Sequence, residues 1–147
     1  MATRGRLVDV SALAGYVAED AEEWLGYAAY ELEGPSMEIV ILEALTERQG
    51  VAGALIAACV HDAQTAGARR LWLITTNDNL TALRFYQRRG FVLVAVHRNA
   101  VTQARQSLKP EIGETGEHGI PIRDEIELEL PHAIWPDFIK RYGWPHS

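Results

Sequence analysis

At Gly50 the apolar residues change period, and that switch restricts the fold more than any other feature of the chain. Upstream, Trp24–Leu32 (WLGYAAYEL) and Met37–Leu42 (MEIVIL) read as two strands joined by the turn EGPS, a hairpin. From Gly50 to Ala66 the spacing of Val51, Leu55, Ala58, Cys59 and Ala63 is helical, and Gly67 stands where a C-cap would end the helix. Leu71–Thr75 (LWLIT) is a short continuous apolar run, the pattern of a strand covered on both faces. A second helix is expected over Leu80–Arg89, capped by Asp78 or Asn79 and closed by Gly90, with a strand at Phe91–His97. Arg6–Val10 and Gly15–Glu19 are short strand candidates, and Val101–Leu108 is a short helix candidate inside the long mixed segment 99–121. Arg123–Leu130 alternates, with Ile126, Leu128 and Leu130 on one face and Glu125, Glu127 and Glu129 on the other. The expected class is α/β (α+β layered), a mixed sheet with helices packed on it. Parallel neighbours are expected in the middle strand–helix–strand–helix–strand run. No linker or repeat divides the chain. A single domain over 1–147 is expected, its core at about 6–130 and an apolar tail at 131–147.

Composition narrows the function classes. The formal charge of −6 argues against broad nucleic-acid binding and suits small cationic partners. Arg88, Arg89, Arg98 and Arg105 read as a solvated face rather than a nucleic-acid patch. No apolar run approaches the roughly 20 residues of a bilayer span, and MATRGRLVDV lacks the pattern of a secretory leader. With Cys59 the lone cysteine, no internal disulfide can form, and a cytoplasmic location is expected. Cys59 falls in an apolar helical stretch and reads as a small hydrophobe. The five histidines show no ligand spacing, so no metal is expected, and there is no G-x-S-x-G elbow.

The loop ERQGVAGALI (47–56) runs into the first helix, where unpaired backbone N–H groups can hold phosphate oxygens. It is neither a nucleotide-triphosphate loop, having no lysine, nor a GxGxxG dinucleotide loop. A tight packing turn is the competing reading. In TTNDNLTALRFYQRRGF (75–91), Asn79, Ala82, Tyr86, Gly90 and Phe91 follow the spacing N-x-x-A-x-x-x-Y-x-x-x-G-F. With Gly50 and Ala52 in the preceding loop, the chain resembles the GNAT superfamily of acyl-CoA-dependent N-acetyltransferases over about residues 6–130. Glu47 and Arg48 depart from that family's loop pattern.

The resemblance implies a centrally splayed sheet with helices on both faces and acetyl-CoA as acyl donor. It implies that Arg48, Gln49, Gly50, Val51, Ala52, Gly53 and Ala54 line the diphosphate, with amides offered by the helix start. Backbone at Ile41, Leu42 and Glu43 would serve the pantetheine arm and the oxyanion, and Asn79 and Ala82 would lie along the arm. One or two of the four arginines would reach the adenosine 3′-phosphate. Tyr86 would be the general acid near sulfur, where the alternative is an aromatic at the core edge. A base is needed to free the attacking amine. Where some relatives carry a glutamate this chain has Ile74, so Glu38 is favoured over Glu43, which would face the other way on an unbroken strand. His97, His118 and Asp124 are further candidates. The expected acceptor is a small-molecule or peptide amine, with no nucleic acid and no membrane. The rival reading is a non-catalytic acyl-CoA-binding or oligomerising module. Family members usually begin with a strand and helices that wall the acceptor side, and little sequence is left for them here. The tail HAIWPDFIKRYGWPHS is too apolar to lie in water, so it packs on the domain or in a homodimer.

Overall fold

The computed structural model describes residues 6–10, 14–21, 23–45, 50–107 and 115–144. Two compact units emerge, residues 1–71 with 132–147 and residues 72–131.

In the first unit, β1 (Arg6–Val10), β2 (Gly15–Asp20), β3 (Glu23–Glu33) and β4 (Ser36–Ala44) form an antiparallel meander. Four residues separate β1 from β2. Gly34, at φ 58°, makes the β3–β4 turn. Strand β5 (Arg70–Thr76) begins in this unit next to β4. The amides of Arg69 and Arg70 both donate to the Pro35 carbonyl, at 2.7 and 3.1 Å.

Helix α1 (Val51–Thr65) packs on the face of the meander that carries Tyr16 and Tyr30. Both hydroxyls donate to Asp62, each at 2.7 Å, one to either carboxylate oxygen. Val51, Ala54, Leu55, Ile56, Cys59, Val60 and Ala63 are buried, so α1 is apolar around most of its circumference, as a helix covered on two sides must be. The second cover is α4 (Trp135–Tyr142), formed by the tail. Its Pro136 suits a first helical turn, and Asp137, Lys140 and Arg141 complement the helix dipole. Trp135 and Phe138 are buried, a stabilisation of about 2–3 kcal/mol each. The tail therefore packs on its own chain.

In the second unit, β7 (Glu125–Glu129) pairs antiparallel with both β5 and β6 (Val92–His97). This corrects one expectation. β5 and β6 are joined by α2 (Leu80–Arg88) but are not neighbours, because the half-exposed strand at the end of the chain inserts between them. The expected alternation explains why: Leu128 is buried and opposite the buried Leu73, while the glutamates take the other face. α3 (Ala100–Ser107) occupies part of the long connection. Asn77 ties that connection down. Its Oδ1 accepts from the amides of Arg123 and Asp124 at 3.0 and 2.9 Å, and its Nδ2 donates to the Pro121 carbonyl at 2.9 Å.

Candidate functional site

The start of α1 is built to stay open. Its N-cap, Gly50, has φ 88°, no side chain caps it, and no acidic residue stands in its first turn. The Ala54 amide donates to the Gly50 carbonyl at 2.9 Å, closing the first helical turn. Hence Ala54, expected among the phosphate-facing amides, is committed inside the helix. The amides of Val51, Ala52 and Gly53 precede the first intrahelical bond and are the ones a helix of this geometry leaves for an anion. The side chains of Val51 and Ala54 are buried, so only main chain can serve there. Gly53 is buried too, and a Cβ on it would lie 3.4 Å from that of Tyr142, so its smallness admits α4. Arg48 and Gln49, like Glu47, lie outside the described residues.

On β4, Ile41, Leu42 and Glu43 lie opposite Ala29, Ala28 and Tyr27. Just before them the register slips. Ala29 faces Ile41 while Tyr30 faces Ile39, which leaves Val40 as an extra residue. The bulge overturns the expectation that Glu38 and Glu43 face opposite ways. Their partners Glu31 and Tyr27 are four apart on β3, so both glutamates share one sheet face. That face is opposite the one carrying Tyr30 and α1. Glu43 accepts a long hydrogen bond from the Tyr27 hydroxyl at 3.4 Å, and Val40 and Ile41 are exposed beside it.

In the second unit, Asn79 caps α2, its Oδ1 accepting from the Ala82 amide at 3.1 Å. Oδ1 and the Ala82 amide are thus both engaged, and the Asn79 side-chain NH2 is the group left to meet a ligand. Two turns on, the Tyr86 ring packs edge-on against Phe85 and tilted against Phe91, with centroids 5.4 and 5.3 Å away. Burial pushes its phenol up to about 12. No described residue hydrogen-bonds to the hydroxyl, which is nevertheless not sealed from solvent. Tyr86 is therefore half-buried, with its ring in an aromatic cluster and its proton retained. The ring is thus placed as the core-edge reading expected. The Arg89 guanidinium lies 3.7 Å from the Phe85 centroid.

Of the other acid–base candidates, Asp124 and His97 have side-chain partners. Arg123 grips Asp124 with two hydrogen bonds of 2.8 and 2.9 Å, and the Asn99 amide adds a third at 2.8 Å, holding that carboxyl below its ordinary range. His97 Nε2 lies 2.9 Å from Glu127, which sits directly across from Ile74. His118 occupies a 3-10 turn with φ 59°. The Asp78 carboxyl is pushed up by burial, but hydrogen bonds from Thr76 and the Glu117 amide outweigh this and hold it low. Burial, with the Asp62 charge, pushes the Cys59 thiol up to about 12, which fits its role as a hydrophobe. Among the described residues, no group of three His, Cys, Asp or Glu could hold a metal ion, and no helix is long and apolar enough to cross a membrane.

An open helix start after β4 and a capped helix carrying Asn79 and Tyr86 after β5 match the expected motifs element by element. The sequence profile of the Acetyltransferase (GNAT) family matches residues 5–91. The chain belongs to that family. It is 44% identical over 115 residues to the uncharacterized protein YdhI of Bacillus subtilis (strain 168), covering 78% of this chain and 71% of that one. The fold is similar to that of a Bacillus subtilis acetyltransferase crystallised in complex with CoA. There the TM-score is 0.67 at 23% identity, covering 87% of this chain and 77% of the other. It is also similar to a GNAT family acetyltransferase from Elizabethkingia anophelis with acetyl-CoA bound, with a TM-score of 0.67 at 21% identity over 80% and 76% of the two chains. As a GNAT acetyltransferase the chain uses acetyl-CoA as acyl donor and has the family's mixed α/β architecture.

Sequence reasoning missed three features of this site. The Val40 bulge has no signature, since valine is an ordinary strand residue. The Asn77 clamp lies two residues ahead of the motif. The approach of Trp144 to Gly50 depends on how α4 docks.

Proposed function

We propose that the acceptor is a primary amine of a small molecule or peptide, which attacks the thioester carbonyl directly. The amine nitrogen bonds to the carbonyl carbon, the carbon–sulfur bond breaks, and CoA leaves as a thiolate while the amine sheds a proton. Tyr86 carries this reading. Its hydroxyl has no partner among the described residues and stays protonated to about pH 12, so it can donate a hydrogen bond to the departing sulfur. Such a phenol is a better hydrogen-bond donor than proton source, and the proton that the amine releases balances the thiolate. Glu38, our first choice of base, shares its sheet face with Glu43, and two carboxylates together favour a cationic acceptor.

The test is release of free thiol from acetyl-CoA over a panel of amines. Tyr86→Phe is expected to lower kcat about 100-fold with CoA affinity unchanged. Equal rates would remove Tyr86 from the mechanism. A second reading, a module that binds acyl-CoA without turnover, fits the shortness of the link between β1 and β2, four residues. Binding of acetyl-CoA with no thiol release for any amine would establish it.

Self-association fits the edge strand β6, where Val92, Leu93, Val94 and Val96 are all exposed. Sedimentation should show a dimer that a Leu93→Lys change dissociates; a wild-type monomer at every concentration would refute it. A cytoplasmic location is proposed on the single, buried thiol.

A further inference from the structure

Residues 142–144, just after α4, lie against the first two turns of α1. A Cβ on Gly143 would lie 3.9 Å from Ala57, one on Gly53 would lie 3.4–3.6 Å from Tyr142, and one on Gly50 would lie 3.8 Å from Trp144 Nε1. Ala57, Gly53 and Gly50 mark successive steps along α1, so residues 142 and 144 are laid over its first turn. Among the described residues, chain neighbours aside, the Trp144 nitrogen is the only heavy atom within 4 Å of that Gly50 position. An indole nitrogen only donates hydrogen bonds, and no described residue accepts one from Trp144. The Val51, Ala52 and Gly53 amides beside it also only donate, and the first turn holds no acidic side chain.

We propose that Trp144 is part of the acyl-CoA site, its indole N–H donating to a diphosphate oxygen alongside the amides that open α1. This rests on the acyl-CoA donor assigned above and extends it to a residue more than ninety positions away, delivered by α4. The occupant fits the donors. A diphosphate offers several charged oxygens on a linker, enough for main-chain amides and an indole together. Gly50 is glycine for its left-handed φ, and a Cβ there would meet the indole nitrogen at 3.8 Å, an ordinary contact.

The experiment is calorimetry on the full chain with two probes, CoA and pantetheine, the second lacking the diphosphate. Trp144→Phe keeps a ring and removes the donor. It should weaken CoA about tenfold, the loss of one hydrogen bond to a charged acceptor, and leave pantetheine unchanged. Unchanged CoA affinity in Trp144→Phe, or tighter binding in Trp144→Ala, would overturn the proposal, the latter by showing that the indole obstructs the site. A readout free of any folding defect is the indole proton resonance of Trp144 in the wild type. It should move on titration with CoA and stay with pantetheine, and immobility with CoA would also overturn the assignment. Wild-type CoA binding without acetylation of any amine would sink the acceptor proposal alone; no CoA binding at all would sink both.

Discussion

The two helices that carry the candidate site residues begin in opposite ways. α2 starts with Asn79, whose side chain satisfies the Ala82 amide, and it buries none of its residues deeply. α1 starts with a bare glycine at φ 88° and no side-chain cap, yet most of its length is buried. A short, exposed helix needs its cap, because little else holds its first turn. A helix fixed by Leu55, Ile56, Val60 and the packing of α4 can leave its first amides open, and open amides are what an anion requires. Stability and function are thus divided between the two starts.

Alkaline titration sharpens that contrast most. Cys59 on α1 and Tyr86 on α2 both have raised folded values near 12 because of burial, against ordinary values of 9.0 and 10.0. The native chain keeps each proton where the unfolded chain has released it. Stability is therefore whole below about pH 9 and lost as the pH rises toward 12, by about 4 kcal/mol through Cys59 and about 3 kcal/mol through Tyr86. Urea titrations at pH 8, 10 and 11 should show the fall. Cys59→Ala should remove the part that begins at pH 9, and Tyr86→Phe the part that begins near 10. A flat profile would mean that neither group is shielded.

Two substitutions then attack the starts themselves. Gly50→Val forces a β-branched residue to φ 88° and toward Trp144, so a loss of about 2 kcal/mol is expected, with CoA binding reduced more than tenfold. Asn79→Ala removes a cap and should lower stability by about 1 kcal/mol in thermal melts. Its effect on CoA is the smallest of the set, through the lost side-chain NH2. If Asn79→Ala harmed CoA binding more than Gly50→Val, the division between the two starts would be wrong.

Most elements were legible because local pattern and burial agree. The helical spacing from Val51 to Ala63 describes a face that the structure buries as read, and the alternation of RDEIELEL holds at the buried Leu128 and Leu130, while Ile126 is no more covered than the glutamates. Asn79 and Gly67 punctuate helices for reasons internal to their own turns. What escaped depends on partners far along the chain. That β7 lies between β5 and β6 is set by strand pairing, which a stretch of sequence does not display. The tail was recognisable as too apolar for water, but not that its Tyr142 would use the space left by Gly53. For the site, the candidate residues of α2 were picked out by their spacing together with the resemblance to the GNAT pattern. The orientation of Glu38 was misread because one surplus residue in β4 breaks the parity rule on which that reading relied.

That surplus residue lets β4 change its spacing without changing its faces. With Val40 deleted, the ladder would close up with every remaining pair unchanged, and the two carboxylates, then four positions apart, would still point to one side. A single-codon deletion here would therefore preserve both the electrical character of this side of the sheet and the hydrophobic seam against α1. Related chains that differ by one residue at this point can present the same charged surface.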